Sequence, residues 1–99
     1  METYRIRFHP KALEEAERSK NWFALRSPTA ALGFLNELSH AIEVIKENPN
    51  RWPSFHLGTR RDVFPRYPFS AIYRIKENVV EILAIAHHKK RPGYWSERK

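Results

Sequence analysis

The segment of this chain with the most varied chemistry is a basic, aromatic run near its C-terminal end. Residues 87–95 read HHKKRPGYW and directly follow an apolar stretch. Histidine exchanges protons near neutral pH, and a tyrosine hydroxyl can donate a proton. Lysine and arginine bind phosphate and stabilise the negative charge of a transition state. The run therefore has residue types that suit either RNA cleavage or the binding of an acidic partner.

Cleavage of RNA through its 2′-hydroxyl needs a base, an acid and cations near the scissile phosphate. Successive strand residues point to opposite faces, so His87 and His88 can reach one phosphate, or one metal ion, only if the strand has ended. Arg74 is expected to pair with Glu81 across a hairpin. Catalysis therefore stays open, and binding is favoured. The catalytic candidates are His87 or His88 as base, Tyr94 or the other histidine as acid, and Arg61, Arg74 and residues 89–91 as cations.

The same run also suits binding without catalysis. Arginine, tyrosine and tryptophan dominate the energetics of protein interfaces, and two aromatic rings would be wasted in a disordered tail. Because the residues after His88 add little to a core, we expect a chain that ends there to stay folded. The expected target-binding residues are His88, Lys89, Lys90, Arg91, Tyr94 and Trp95.

The surplus positive charge lies entirely in the second half of the chain. Residues 1–50 carry seven Lys or Arg and seven Asp or Glu, whereas residues 51–99 carry eleven and four, which gives the whole net charge of +7. This asymmetry indicates an anionic partner, such as nucleic acid or an acidic protein surface. The chain has no cysteine, its other histidines are scattered, and no apolar stretch approaches the ~18 residues of a membrane span. We expect a cytoplasmic protein without a metal, a cofactor or a membrane partner.

Hydrophobic spacing predicts the elements that position these residues. Alternation over residues 4–8 predicts a strand, and Pro10 opens a helix that runs to about Arg26. A second helix should begin at Ser27-Pro28 and end at Asn48-Pro49, followed by a loop over residues 49–59. The predicted later strands cover residues 60–64, 69–76 and 79–87. The 99 residues thus predict one α+β domain in which a helical hairpin packs on one face of a small, largely antiparallel sheet.

The last two strands should form a hairpin with a two-residue turn at Glu77-Asn78, where the asparagine tolerates positive φ. In that register Arg74 faces Glu81, Ile72 faces Leu83 and Ala71 faces Ala84. One face of the hairpin is apolar and should receive the helices. The other face keeps apolar side chains in the open, which makes it a candidate docking surface. This expected surface consists of Ile72, Arg74, Leu83 and Ile85.

Several short segments follow one another along the chain: WF at residues 22–23, SP at 27–28, FL at 34–35, NPNRWP at 48–53, FSAIYR at 69–74 and ILAIAHHKKRP at 82–92. No one of them is diagnostic. In this order and spacing they resemble the toxins of the RelE/ParE superfamily from bacterial type II toxin–antitoxin modules, also called plasmid-stabilisation proteins. The likeness covers essentially the whole chain, and its last segment is more similar to the ParE branch than to the RelE branch.

The resemblance implies a small basic toxin that arrests growth and is neutralised by a cognate antitoxin. RelE-like members cleave messenger RNA on the ribosome, whereas ParE-like members poison DNA gyrase and lack a defined catalytic set. Because the RNase candidates are incomplete, we expect a ParE-like gyrase inhibitor whose antitoxin binds at the docking surface defined above. A RelE-like ribosome-dependent endoribonuclease is the alternative. A basic nucleic-acid-binding module without toxicity is a further one.

Overall fold

The computed structural model describes residues 4–98. Its sheet has the strand order β1-β4-β3-β2, in which β1 runs parallel to β4 and the other neighbours are antiparallel. The predicted α+β fold with a helical hairpin is confirmed. Within this described part, no helix is long and apolar enough to cross a membrane. The elements are β1 (Arg5–Phe8), α1 (Pro10–Ala24), α2 (Pro28–Glu47), β2 (Arg60–Val63), β3 (Phe69–Lys76) and β4 (Val79–His87).

Both helices begin at a proline that follows a capping residue. Ser27 Oγ accepts a hydrogen bond from the Ala30 N–H at 3.2 Å, and His9 Nδ1 accepts one from the Lys11 N–H at 3.0 Å. A proline at the first helical position loses no hydrogen bond and already has a helical φ. The predicted start of α2 is therefore confirmed, and its cause is local.

On one face of the sheet, the helices pack around aromatic rings. Phe34 of α2 is fully buried, and its ring centroid lies 5.5 Å from that of Phe23 and 5.1 Å from that of Phe69. Rings at these separations stabilise a core beyond the burial of their area. Tyr73 of β3 donates its hydroxyl hydrogen bond to the carbonyl oxygen of Pro49 at 2.6 Å, which anchors the loop after α2. We call this side of the sheet the helix face.

The hairpin between β3 and β4 turns at Glu77 and Asn78, as predicted. The left-handed conformation falls on Glu77, with a φ of 58°, and not on Asn78 as expected. Next to the turn the predicted register is correct, and Arg74 Nη2 lies 2.6 Å from Glu81 Oε1. Arg7 of β1 approaches the other carboxylate oxygen of Glu81 at 3.7 Å. Arg74 therefore forms an ion pair with Glu81 across the hairpin, as predicted.

A β-bulge at Leu83 shifts the register of the rest of this hairpin by one residue. Ile72 faces Ala84 rather than Leu83, and Ala71 faces Ile85 rather than Ala84. The extra residue moves Ile85 onto the helix face, where it is buried in the core. The expected pairing beyond the bulge is wrong because no glycine or proline in β4 signals the irregularity.

The other face of the sheet is covered by residues 88–98, which we call the C-terminal strap. Trp95 of the strap is only 3% exposed and packs in a second core with Ile72 and Leu83. The open docking surface expected from the sequence is therefore wrong: Ile72 and Leu83 are buried under the strap, and Ile85 is buried on the helix face. The expectation that the strap adds little to a core is wrong for the same reason.

Candidate functional site

A partly buried ion pair, whose side chains are 15% and 12% exposed, holds the strap against α1 and β4. Arg98 Nη1 lies 2.9 Å from Glu15 Oε1, and Arg98 Nη2 lies 2.8 Å from Glu15 Oε2. The same carboxylate accepts hydrogen bonds from the Tyr94 hydroxyl at 2.7 Å and from the Ile85 N–H at 3.0 Å. Arg98 also donates to the carbonyl oxygen of Leu83 at 2.8 Å. The two charged side chains thus bind backbone groups of the bulge residue Leu83 and of Ile85, two residues after it.

Neither member of this pair was predicted as a site residue from the sequence. Glu15 and Arg98 are 83 residues apart, so no local pattern links them. One signal was present, because helical spacing puts Glu15 beside Ala12 and Ala16, which pack in the core. A carboxylate on the apolar stripe of a helix needs a cation or several hydrogen-bond donors.

Tyr94 is held in its protonated form by burial and by its contact with Glu15. Burial raises the pKa of the Tyr94 hydroxyl above its usual range, and the hydrogen bond to the Glu15 carboxylate raises this pKa further. The pKa of Arg98 is raised as well, chiefly by its hydrogen bond with Glu15. The Tyr94 hydroxyl therefore stays protonated at physiological pH and donates to Glu15. This geometry does not support the expected use of Tyr94 as a catalytic acid.

A small concavity of about 120 Å³ lies between the loop before β2, the start of β3 and the strap, and we call it the basic pocket. The guanidinium carbon of Arg61 lies 4.3 Å from the ring centre of Phe55. Ser70 Oγ lies 3.0 Å from His88 Nε2, and Ser70 is buried. The polar side chains that border the pocket include Arg61, Ser70, His87, His88 and Lys90.

The basic pocket brings together several of the residues considered for RNA cleavage, Lys90 among them. Strand β4 ends at His87, so His87 and His88 both border the pocket, as do Arg61 and Tyr94. Arg74 lies elsewhere, on the surface that it shares with its ion-pair partner. The arrangement can bind phosphate, but Arg74 and the Tyr94 proton are not available to it. Within residues 4–98, no three His, Cys, Asp or Glu side chains are grouped to hold a metal ion.

His87 is partly shielded at the edge of this pocket. Its ring meets Phe69 edge-on at a centroid distance of 5.0 Å, and its Nδ1 accepts a hydrogen bond from the Lys89 N–H at 3.0 Å. Burial lowers the pKa of His87 below its usual range, and the positive charges of Lys89, His88 and Lys90 lower this pKa further. His87 is therefore uncharged at neutral pH, and the neighbouring lysines supply the charge.

The run predicted to bind a target divides into two parts. The side chains of residues 88–91 are exposed, and none of them forms an ion pair with another described residue. Trp95 is buried in the second core and Tyr94 is bound to Glu15, so these two aromatic residues do not form an accessible surface. The expectation that Trp95 is exposed is wrong, because its ring packs against Ile72 and Leu83 on the sheet. The accessible part of the run is cationic.

A second concave surface, which the sequence analysis did not identify, lies where the end of α1 meets β3 and β4. This apolar groove encloses about 440 Å³, and we call it the helix-end groove. Trp22 is 51% exposed, and the guanidinium carbon of Arg26 lies 3.6 Å from its ring centre. Leu25, just after α1, is 86% exposed. The groove is lined by Arg18, Ser19, Trp22, Phe23, Pro68, Phe69 and His87.

Comparisons with known proteins identify the family of this chain. The profile of the family described as "ParE toxin of type II toxin-antitoxin system, parDE" matches residues 6–92. Among solved structures, the chromosomal ParDE TA system from P. aeruginosa contains a chain that superposes with a TM-score of 0.75. The sequence identity is 22%, and the match covers 86% of this chain and 96% of the other, so the likeness concerns the fold. No curated protein matches the chain significantly.

Proposed function

Because the chain belongs to the ParE toxin family of type II toxin–antitoxin systems, we propose that it arrests bacterial growth by inhibiting DNA gyrase and that a cognate antitoxin neutralises it. The family match over residues 6–92 carries this proposal. The exposed cations of residues 88–91 support it, because a compact positive surface suits an acidic protein target. The hydrogen-bonded states of Arg74 and Tyr94 favour binding over catalysis.

Induced expression with two readouts tests the target. Gyrase inhibition predicts growth arrest together with relaxed or cleaved plasmid DNA and full-length messenger RNA. The supercoiling assay with purified gyrase and purified toxin is the matching test in vitro. Ribosome-dependent cleavage of messenger RNA, with gyrase unaffected, would overturn the proposed target.

A RelE-like endoribonuclease is the second candidate, and one observation favours it: Arg61, His87 and His88 border a single pocket. If RNA cleavage is the activity, His88→Ala should lower its rate by about 10²–10⁴, the usual contribution of a general acid or base. Ribosome binding should persist. His40→Ala is the matched control, because His40 is exposed on α2. A gyrase inhibitor should instead depend on no single histidine to this extent.

We propose the helix-end groove as the surface that the antitoxin covers. The apolar residues of the surface expected from the sequence are buried within the toxin itself, whereas Trp22 and Leu25 are exposed. Arg18 borders the groove and Arg26 lies over Trp22, so positive charge flanks the apolar surface. An antitoxin segment with apolar residues between Asp and Glu residues complements this pattern. We expect a neighbouring gene to encode such a segment, which orders as it binds.

Introducing a negative charge into the groove tests this placement. Trp22→Glu should weaken the complex by at least tenfold, because a central aromatic anchor is typically worth about 2 kcal/mol or more. Leu13→Glu is the matched control, since Leu13 is an equally exposed apolar residue of α1 outside the groove. Both variants are compared by co-purification and by titration with the antitoxin. Equal losses of antitoxin affinity in the two variants would contradict the groove as the antitoxin-binding surface. Separate elution of wild-type toxin and antitoxin at low salt would contradict the proposal that they form a complex.

A further inference from the structure

We infer that the basic pocket binds a phosphate group and that this phosphate belongs to a nucleic-acid backbone. This site is distinct from the helix-end groove, and the inference does not depend on gyrase being the target. It rests on uncompensated charge, on free hydrogen-bond donors and on the size of the pocket.

The positive charge of the pocket has no acidic counterpart. No residue that lines it is acidic, and within the described residues neither Arg61 nor Lys90 forms an ion pair. Arg74 and Arg98, by contrast, are each paired with a glutamate. The cations that converge on this concavity are therefore available to an anionic ligand. Its partly apolar lining would strengthen each charged contact.

The pocket also has hydrogen-bond donors to spare. The Ser70 hydroxyl and the His88 ring offer at least one O–H and one N–H, and their contact at 3.0 Å uses only one of these protons. When His88 Nε2 donates to Ser70 Oγ, the Ser70 O–H is left for a ligand oxygen. The Arg61 guanidinium lies over the Phe55 ring and forms no hydrogen bond or ion pair with another described residue, so its N–H groups can bind an anion. Phosphate oxygens accept such hydrogen bonds strongly because they are charged.

The dimensions and the surroundings distinguish a polymer from a free ion. The small concavity, about 120 Å³, suits a single tetrahedral oxyanion. Lys89 and Arg91 are exposed next to it, so positive charge continues outside the pocket. A free phosphate ion would use only the pocket. A nucleic-acid backbone would place one phosphate in the pocket and its neighbours against the flanking cations.

Binding of a short fluorescein-labelled single-stranded DNA to the purified full chain tests this inference. Arg61→Gln and Lys90→Gln should each weaken binding by about tenfold, the effect of losing one hydrogen bond to a charged group. Each should also reduce the slope of log affinity against log salt by about 0.7, because one phosphate contact is lost. Lys76→Gln is the matched control for Lys90→Gln, since Lys76 is exposed at the opposite end of β3 from Ser70.

Inorganic phosphate serves as the competitor that separates the two sources of the ligand. Displacement of the DNA by phosphate supports a phosphate-sized site. Phosphate binding without DNA binding would overturn the nucleic-acid source, and equal losses in Lys90→Gln and Lys76→Gln would show that net charge alone attracts the polymer. Circular dichroism checks the fold of each variant. If Arg61→Gln unfolds, Lys90→Gln still tests the inference. The Lys90 side chain is exposed and lies over the Tyr94 ring, so its replacement should leave the fold intact.

Discussion

The helix face and the strap face of the sheet are closed by different means. On the helix face, rings from α1, from β3 and from the loop before β3 surround Phe34 of α2, and the stabilisation is spread over many packing contacts. On the strap face, Trp95 provides the one large buried ring of the second core, and the Glu15–Arg98 pair holds the strap in place. The strap therefore concentrates its stabilisation in a few side chains, which makes the two faces separately testable.

Truncation after His88 removes all of the strap except His88 and should have the largest effect. It exposes Ile72 and Leu83, and it opens the Glu15 carboxylate to solvent. Losing the burial of Trp95 alone costs about 3–5 kcal/mol, and the lost cover of the two aliphatic side chains adds to this. Their sum is on the order of the whole free energy of unfolding of a small domain. A urea titration followed by circular dichroism measures the loss. An unchanged unfolding midpoint would mean that the helix face alone holds the fold.

The ion pair should account for much of this loss. Arg98→Met is expected to lower the free energy of unfolding by about 1.5–3 kcal/mol, because the Glu15 carboxylate loses its charged partner and keeps only the Tyr94 and Ile85 donors. Glu15→Gln combined with Arg98→Met should recover part of it, since the neutral amide still accepts the hydrogen bond of the Ile85 N–H. A double-mutant cycle in urea measures the coupling. Losses that simply add would show that the two side chains act independently.

One tyrosine on each face gives a smaller, pH-dependent comparison. Burial raises the pKa of Tyr73 to about 12, and burial followed by the contact with Glu15 raises the pKa of Tyr94. A phenol with a raised folded pKa stabilises the fold below its unfolded pKa of about 10, and this contribution is lost as the pH rises through the folded pKa. The free energy of unfolding should therefore fall above pH ~10. Tyr73→Phe and Tyr94→Phe should each flatten that fall in alkaline urea titrations, and an equally steep fall in both variants would contradict the assignment.

The smallest effect on stability is expected at the exposed part of the strap. Arg91→Ala should change the free energy of unfolding by less than about 0.5 kcal/mol, because Arg91 is exposed. Its affinity for the target should nevertheless fall by about 2 kcal/mol or more if Arg91 is an interface anchor. Arg51→Ala, at an exposed loop residue, is the matched control. If Arg91→Ala arrests growth and binds the target as well as the wild type does, Arg91 is not an interface anchor and residues 88–91 are only a solvated surface.

The helix face could be predicted from the sequence because its signals are local. Apolar residues at three- and four-residue spacing define α2, and Ser27-Pro28 marks its start. Alternation and turn chemistry also give the observed bounds of β3 and β4. Each of these signals lies within a few residues of the element that it specifies.

The strap face could not be predicted in the same way. The bulge at Leu83 has no marker in the sequence, and its effect on Ile85 follows only from the pairing of whole strands. Trp95 stands among cations, so the composition of the run suggested an exposed surface rather than a core. The contact between Glu15 and Arg98 depends on the path of the whole chain. The packing of the strap face depends on contacts between residues far apart in the sequence, and residue type alone does not predict it.

The ion pair has a further consequence, because it lies along an open edge of the sheet. Strand β1 ends at Phe8, so in the described residues the second half of β4 has no neighbouring strand on that side. Glu15 binds the free N–H of Ile85 there, and Arg98 binds the carbonyl oxygen of Leu83. An unpaired strand edge is a template for pairing with other molecules, and charged groups at the edge prevent it. The side chains that fasten the strap thereby also protect the toxin from edge-to-edge aggregation.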